Sequence, residues 1–119
     1  MKTIILLFAM TVTVVANAND GKYVEAMSKS IEAVFKAQSI EELQSAVNGF
    51  ERIANAEKTK WEPFYYSAFG YVMMANREKD PVKKDSYLDL AAAASEKAKA
   101  IKENDSEIIT MEGFIKEKT

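Results

Sequence analysis

The chain has 119 residues, enough for one domain; 48% are apolar and 29% charged, the balance of an ordinary globular protein and not of a disordered one. It contains no histidine and no cysteine. This removes the commonest general base, thiol catalysis, disulfides, ordinary zinc sites and lipid attachment to a cysteine beside a cleavage site. With only four glycines and two prolines, the chain lacks the frequent turn residues that strands and hairpins need, so long helices are expected.

The first 18 residues differ from the rest. Lys2 precedes the apolar run Ile4 to Met10, Val12, Val14 and Val15 follow, and Ala16-Asn17-Ala18 supplies small residues at the end. A charged start, a short apolar stretch and an A-x-A ending are the parts of a secretory signal peptide. A membrane span needs roughly 20 apolar residues, and Thr11, Thr13 and Asn17 interrupt this shorter run. Residues 1–18 are therefore expected to be a cleaved signal peptide, and residues 19–119 an exported domain of the periplasm or the exterior, with no stable membrane anchor after cleavage. Of the 16 basic residues only Lys2 precedes this point, and all 18 acidic ones follow it, so the mature chain carries 15 basic and 18 acidic side chains, a net charge of −3. Acids and bases are interspersed with no basic block, which argues against nucleic acid and anionic lipid as partners.

Five helices are expected, in chain order. In the first, about residues 20–37, Tyr23, Met27, Ile31 and Val34 recur on one face. Ser39 opens the second, with Glu42 three residues later completing a capping box, and Ile40, Leu43, Val47, Phe50 and Ile53 form its stripe. The third starts near Pro63 and carries two stripes: Phe64, Ala68, Tyr71 and Ala75, and then Tyr65, Phe69 and Val72. A helix apolar on two faces is usually central. Asp80-Pro81 reads as an N-cap followed by proline at the first helical position, and Tyr87, Ala91, Ala94, Ala98 and Ile101 mark the fourth helix, to about residue 102. Asn104-Asp105-Ser106 is a turn, and Ile108, Met111 and Ile115 mark the fifth helix, about residues 107–118. Links of a few residues force consecutive helices to pack antiparallel, giving stacked helix hairpins.

Two stretches repeat. Glu62-Pro63-Phe64-Tyr65-Tyr66-Ser67-Ala68-Phe69 lies 45 residues before Glu107-Ile108-Ile109-Thr110-Met111-Glu112-Gly113-Phe114, and Ala46, Phe50 and Ile53 lie 45 before Ala91, Ser95 and Ala98. A constant offset in two places argues for repeated hairpins. On these residues the chain resembles the tetratricopeptide repeat family, whose pattern is W-x2-L-G-x2-Y in one helix and A-x3-F-x2-A-x4-P in the next. Ala68 and Gly113 fall on its small position and Tyr71 on its tyrosine. Ala46 and Ala91 fall on the first alanine of the second helix, Phe50 on its phenylalanine and Ala98 on its later alanine. The chain departs from the pattern at Phe64 and Ile109 (tryptophan), Ser67 and Glu112 (leucine), and Lys58 and Glu103 (proline), and its repeat is longer than the family's. The overall plan is similar to small exported bacterial members of the family. The resemblance implies a short all-α solenoid. It also implies that the final helix is either a cap, to which the polar Glu112 and Lys116 suit it, or the start of a continuing array.

Few constellations offer chemistry. Glu103, Asp105 and Glu107 alternate as calcium ligands can, but Ile108 stands where the calcium loop needs glycine, so a solvated turn is the expectation. Glu51 with Lys58, and Asp85 with Asp89, read as exposed helix faces. No catalytic residue, cofactor or metal is expected. The notable cluster is aromatic: Trp61, Phe64, Tyr65, Tyr66, Phe69 and Tyr71. Phe64 and Tyr71 belong to the packing stripe. In the family that the chain resembles, the side bearing Tyr65, Phe69 and Val72 lines a concave groove, and tyrosine suits binding surfaces because it joins contact area to a polar tip. Asn76 and Arg77, further along, are placed to meet a carboxylate. The expectation is a non-catalytic protein–protein interaction module of the cell envelope that binds a peptide or partner helix through Tyr65, Phe69, Val72, Asn76 and Arg77. The alternative is a small-molecule-binding periplasmic protein.

Overall fold

The computed structural model describes the backbone of residues 14–119 and the side chains of residues 21–119. Most of the expected signal peptide, and the side chains at its Ala18 boundary, lie outside the described residues. The described chain is all-helical: α1 (Val14–Lys36), α2 (Ile40–Ala56), α3 (Glu62–Arg77), α4 (Pro81–Ile101) and α5 (Ser106–Lys118). Among the described residues there is no strand, and no helix is long and apolar enough to cross a membrane.

The helix starts follow local chemistry. The Ser39 hydroxyl accepts the Glu42 N–H at 3.1 Å, and Glu42 Oε1 reaches back to accept the Gln38 N–H at 2.7 Å, a reciprocal cap shifted by one residue from the usual box. Pro63 and Pro81 occupy first-turn positions, where their missing N–H costs nothing. Asp80 stands at the N-cap of α4, but its side chain makes no capping bond; its own N–H instead donates to Glu78 Oε2 at 3.1 Å. Asn104 takes a left-handed φ of 62°, which asparagine tolerates, and this reversal lets Asp105 cap α5 by accepting from the N–H groups of Glu107 and Ile108.

Consecutive helices pack as antiparallel hairpins stacked into a short solenoid. The odd-numbered helices also meet one another, α1 against α3 and α3 against α5, whereas α2 and α4 do not approach. Two layers result, with α1, α3 and α5 in one and the splayed pair α2 and α4 in the other. The core draws on every helix, and on both stripes of α3: Met27 and Val34; Leu43, Val47 and Phe50; Ala68, Tyr71 and Val72; Ala91 and Ala94; Met111 and Ile115. Burial of this kind stabilises by about 25 cal/mol per Å² of apolar surface, and in a domain without disulfides it is the main source of stability. α3 lies close against its neighbours at Gly70, where an added Cβ would overlap Val47 Cγ2 of α2 and lie 3.7 Å from Val34 Cγ2 of α1.

In α4 the expected stripe holds at Ala91, Ala94 and Ala98, with Tyr87 packed against the core, but not at its end. Ile101 is 37% exposed, while Leu88 is buried with Ala91, Ser95 and Ala98. Alanines run all round this helix, so periodicity alone points only weakly to its buried face. The repeat is also uneven. Phe50 and Ser95 occupy equivalent buried positions, but Phe50 stacks on Tyr66 with ring centroids 5.6 Å apart, whereas the Ser95 hydroxyl has no partner. Ala68 is sealed, whereas its equivalent, Gly113, is exposed, with nothing within 4 Å of a Cβ built there.

Candidate interaction surface

α3 presents one side between α1 and α5, and the aromatic residues gather there. Trp61 and Tyr65, one turn apart, meet edge to face at 5.7 Å. Tyr65 meets Tyr66 edge to face at 5.1 Å, and Tyr66 meets Phe69 at 6.4 Å. Phe69 in turn touches Phe35 of α1, with centroids 5.4 Å apart and planes tilted by 46°. Edge-to-face and tilted pairs set the positive ring edge against the negative face, each worth about 0.5–1.5 kcal/mol beyond area burial. The Tyr66–Phe50 stack ties this strip to the core.

The strip is open. Phe35 is 62% exposed, and Tyr65, Tyr66 and Phe69 are half-buried. Val24, on the same face of α1 as Phe35 three turns earlier, is 59% exposed. Burying a phenylalanine is worth about 1.5–3 kcal/mol, so the exposed Phe35 ring against the half-buried Phe69 forms an apolar surface that another molecule can cover favourably. Phe35 is the residue that sequence reasoning missed. Its neighbour Val34 carried the α1 stripe, and a phenylalanine beside the stripe near the end of an amphipathic helix was the available signal.

Of the five residues expected to meet a partner, the structure brings Tyr65 and Phe69 together on this strip. Val72 does not present surface: it is 1% exposed and belongs to the buried cluster that includes Met111 and Ile115. That cluster draws side chains from all five helices, so this end of the stripe is closed over while Tyr65 and Phe69 stay half-buried. Arg77 is exposed, but its guanidinium works within the fold. Nη1 donates to the Gln38 carbonyl at 2.9 Å and Nη2 to the Ala37 carbonyl at 3.4 Å. These are carbonyls at the C-terminus of α1, where helical partners run out and a cation is favoured. Asn76 is exposed two turns beyond Phe69. It lines a hollow of about 520 Å³ between α3, α4 and α5, with Lys84, Phe114 and Lys118. Phe114, the repeat equivalent of Phe69, is also partly exposed.

The electrostatics near Tyr65 are acidic. Burial first, then the Glu107 carboxylate, the neighbouring Tyr66 and Asp105, hold the Tyr65 hydroxyl above its ordinary pKa and keep it a neutral donor. At the far end, Lys102 Nζ lies over the Trp61 ring at 5.5 Å and approaches Asp105 at 3.9 Å. Among the described residues no group of three or more acidic side chains could hold a metal ion.

The fold and this surface define an all-helical protein of stacked hairpins with an exposed aromatic strip. No protein-family model matches the chain, and neither a curated protein nor a solved structure matches it.

Proposed function

We propose that this chain is a non-catalytic interaction module of the cell envelope, holding a peptide or partner helix against the strip Trp61–Tyr65–Phe69–Phe35. The single observation carrying the reading is the Phe35–Phe69 pair, an aromatic contact between two helices that leaves Phe35 mostly in water. Large, stiff aromatic groups of this kind anchor interfaces. The tetratricopeptide resemblance of Ala46, Phe50, Ala68, Tyr71, Ala91 and Ala98 adds to it, since that family binds peptides on its concave side. Export rests on residues 1–18 as read in the sequence. The carboxylates beside Tyr65 favour a ligand with apolar side chains and a basic residue, which would gain charge-assisted hydrogen bonds.

An array of amphipathic peptides, basic and acidic versions side by side, tests this. The unmodified protein should retain basic–apolar peptides, and the Phe35→Ser variant should lose them with its helical circular dichroism unchanged. Equal retention of acidic peptides, or retention by Phe35→Ser, would sink the proposal.

A further inference from the structure

On the opposite side of α3, away from the aromatic strip, the gap between α2 and α4 forms a cleft. It encloses about 290 Å³, near the lower end of the size range of small-molecule sites. α3 supplies its floor with Phe64, Ser67 and Tyr71; α2 supplies Glu51 and Asn55; α4 supplies Leu90 and Lys97. Three features of this lining are unspent. The Ser67 side chain is 2% exposed, yet its hydroxyl has no hydrogen-bond partner, which is unfavourable when nothing fills it. Glu51 on one wall accepts the Tyr71 hydroxyl at 2.9 Å through a single oxygen, and a carboxylate has room for further donors. Lys97 on the other wall lies over the Phe64 ring at 5.9 Å. Neither Glu51 nor Lys97 enters an ion pair among the described residues.

An anion and a cation on opposite walls, each without a counter-ion, suit a ligand that carries both charges itself. A hydroxyl on the floor and an amide at the rim suit its polar centre. We propose that the α2–α4 cleft binds a small zwitterion of the amino-acid class, its ammonium group on Glu51 and its carboxylate on Lys97, with the Ser67 hydroxyl and the Asn55 amide completing the carboxylate's hydrogen bonds. Phe64 and Leu90 provide the apolar contact for its side chain. A simple amine or a simple carboxylate would satisfy only one wall, so neither should bind appreciably. The site lies on the face opposite the peptide-binding strip, and its occupancy does not depend on that reading.

Thermal denaturation with each of the common amino acids in turn tests the proposal, using the full chain, with acetate, methylamine and the two together as controls. At least one amino acid should raise Tm, because a ligand bound to the native state alone stabilises it. The controls should not. Lys97→Met and Glu51→Gln should each weaken that amino acid's binding by roughly tenfold or more. Ser67→Ala should weaken it as well, although it removes an orphaned hydroxyl and leaves the unliganded protein at least as stable. Phe35→Ser should leave it unchanged. Three results would each overturn the proposal: no amino acid raises Tm, acetate with methylamine raises it equally, or the shift survives in both Lys97→Met and Ser67→Ala.

Discussion

The Tyr71 hydroxyl of α3 donates to Glu51 Oε2 of α2 at 2.9 Å, a polar link between two helices that both bury apolar stripes. Burial and then this carboxylate push the Tyr71 pKa up to about 12. An unfolded tyrosine ionises at about 10. A raised folded-state value means that the stabilisation is fully present below pH 10 and is lost as pH climbs towards 12. At neutral pH, Tyr71→Phe should therefore cost about 1 kcal/mol, the usual net worth of one hydrogen bond. The gap between the two proteins, read from urea midpoints, should close across that alkaline window. No gap at neutral pH would show that the bond adds nothing to stability, and a gap that stays constant through the alkaline window would show that the Tyr71 hydroxyl is not held protonated by the fold.

Tyr23 makes a second bond of this type, its hydroxyl donating to Glu62 Oε1 at 3.0 Å, with its pKa raised by burial first and then by Glu62 and Glu57. The bond ties α1 to the start of α3. Tyr23→Phe should accordingly loosen α1 selectively, with faster hydrogen exchange in that helix and little change in α4. Uniform acceleration along the whole chain would contradict this assignment.

Gly70 and Gly113 should respond to alanine in opposite directions. Both are helical, and alanine is the better helix former by about 1 kcal/mol. At Gly113 nothing opposes that gain, so Gly113→Ala should raise the unfolding free energy by about that amount. At Gly70 the new methyl meets Val47, and overpacking of this kind costs about 1–3 kcal/mol, so Gly70→Ala should be net destabilising. Adding Val47→Ala should then cost less in the Gly70→Ala background than in the original protein. Additive behaviour in that double-mutant cycle would mean the two side chains do not compete for the same space.

Arg77 is expected to matter for the fold and not for ligand recognition. Arg77→Met removes the two bonds to the Ala37 and Gln38 carbonyls and should lower stability by about 1 kcal/mol, less than a buried charged bond because the side chain is exposed. Peptide retention by the folded variant should match that of the unmodified protein. A variant of unchanged stability that fails to bind would reverse the assignment.

Ser95 carries a buried hydroxyl without a partner in the position that the preceding hairpin fills with Phe50. Ser95→Ala deletes the unsatisfied group at little loss of volume and should stabilise by about 1 kcal/mol. Ser95 also borders a hollow of about 170 Å³ between α4 and α5, with Lys99, Glu112 and Ile115. A loss of stability in Ser95→Ala would mean that the hydroxyl has a partner, such as a water molecule in that hollow.

Helix positions were legible because they depend on neighbours in the chain. Ser39 with Glu42, Pro63 and Pro81 mark helix starts through atoms a few residues away, and the turn Asn104-Asp105-Ser106 precedes the last helix, where the structure shows Asp105 to be the cap. The stripes of α1, α2 and α5 lie on the core as their spacing foretells, since a large apolar side chain on one face has one place to go. α4 was less legible because its alanines do not distinguish one face from another, and Leu88 escaped the stripe for that reason.

The sequence by itself determined that the chain forms helices, roughly where α2 to α5 begin, and that α3 is apolar on two sides; α1 starts at Val14, six residues before the expected start. Only the tertiary structure decided which part of the second side faces water. Phe69 and Val72 are three residues apart and alike in character, yet one is half-exposed and the other sealed. The same holds for Phe35, left open beside the buried Val34, and for Arg77, drawn onto the end of α1. Periodicity is a property of one helix, whereas exposure depends on where the axes of its neighbours fall. That is set by close approaches such as Gly70 against Val47, between residues far apart in the chain.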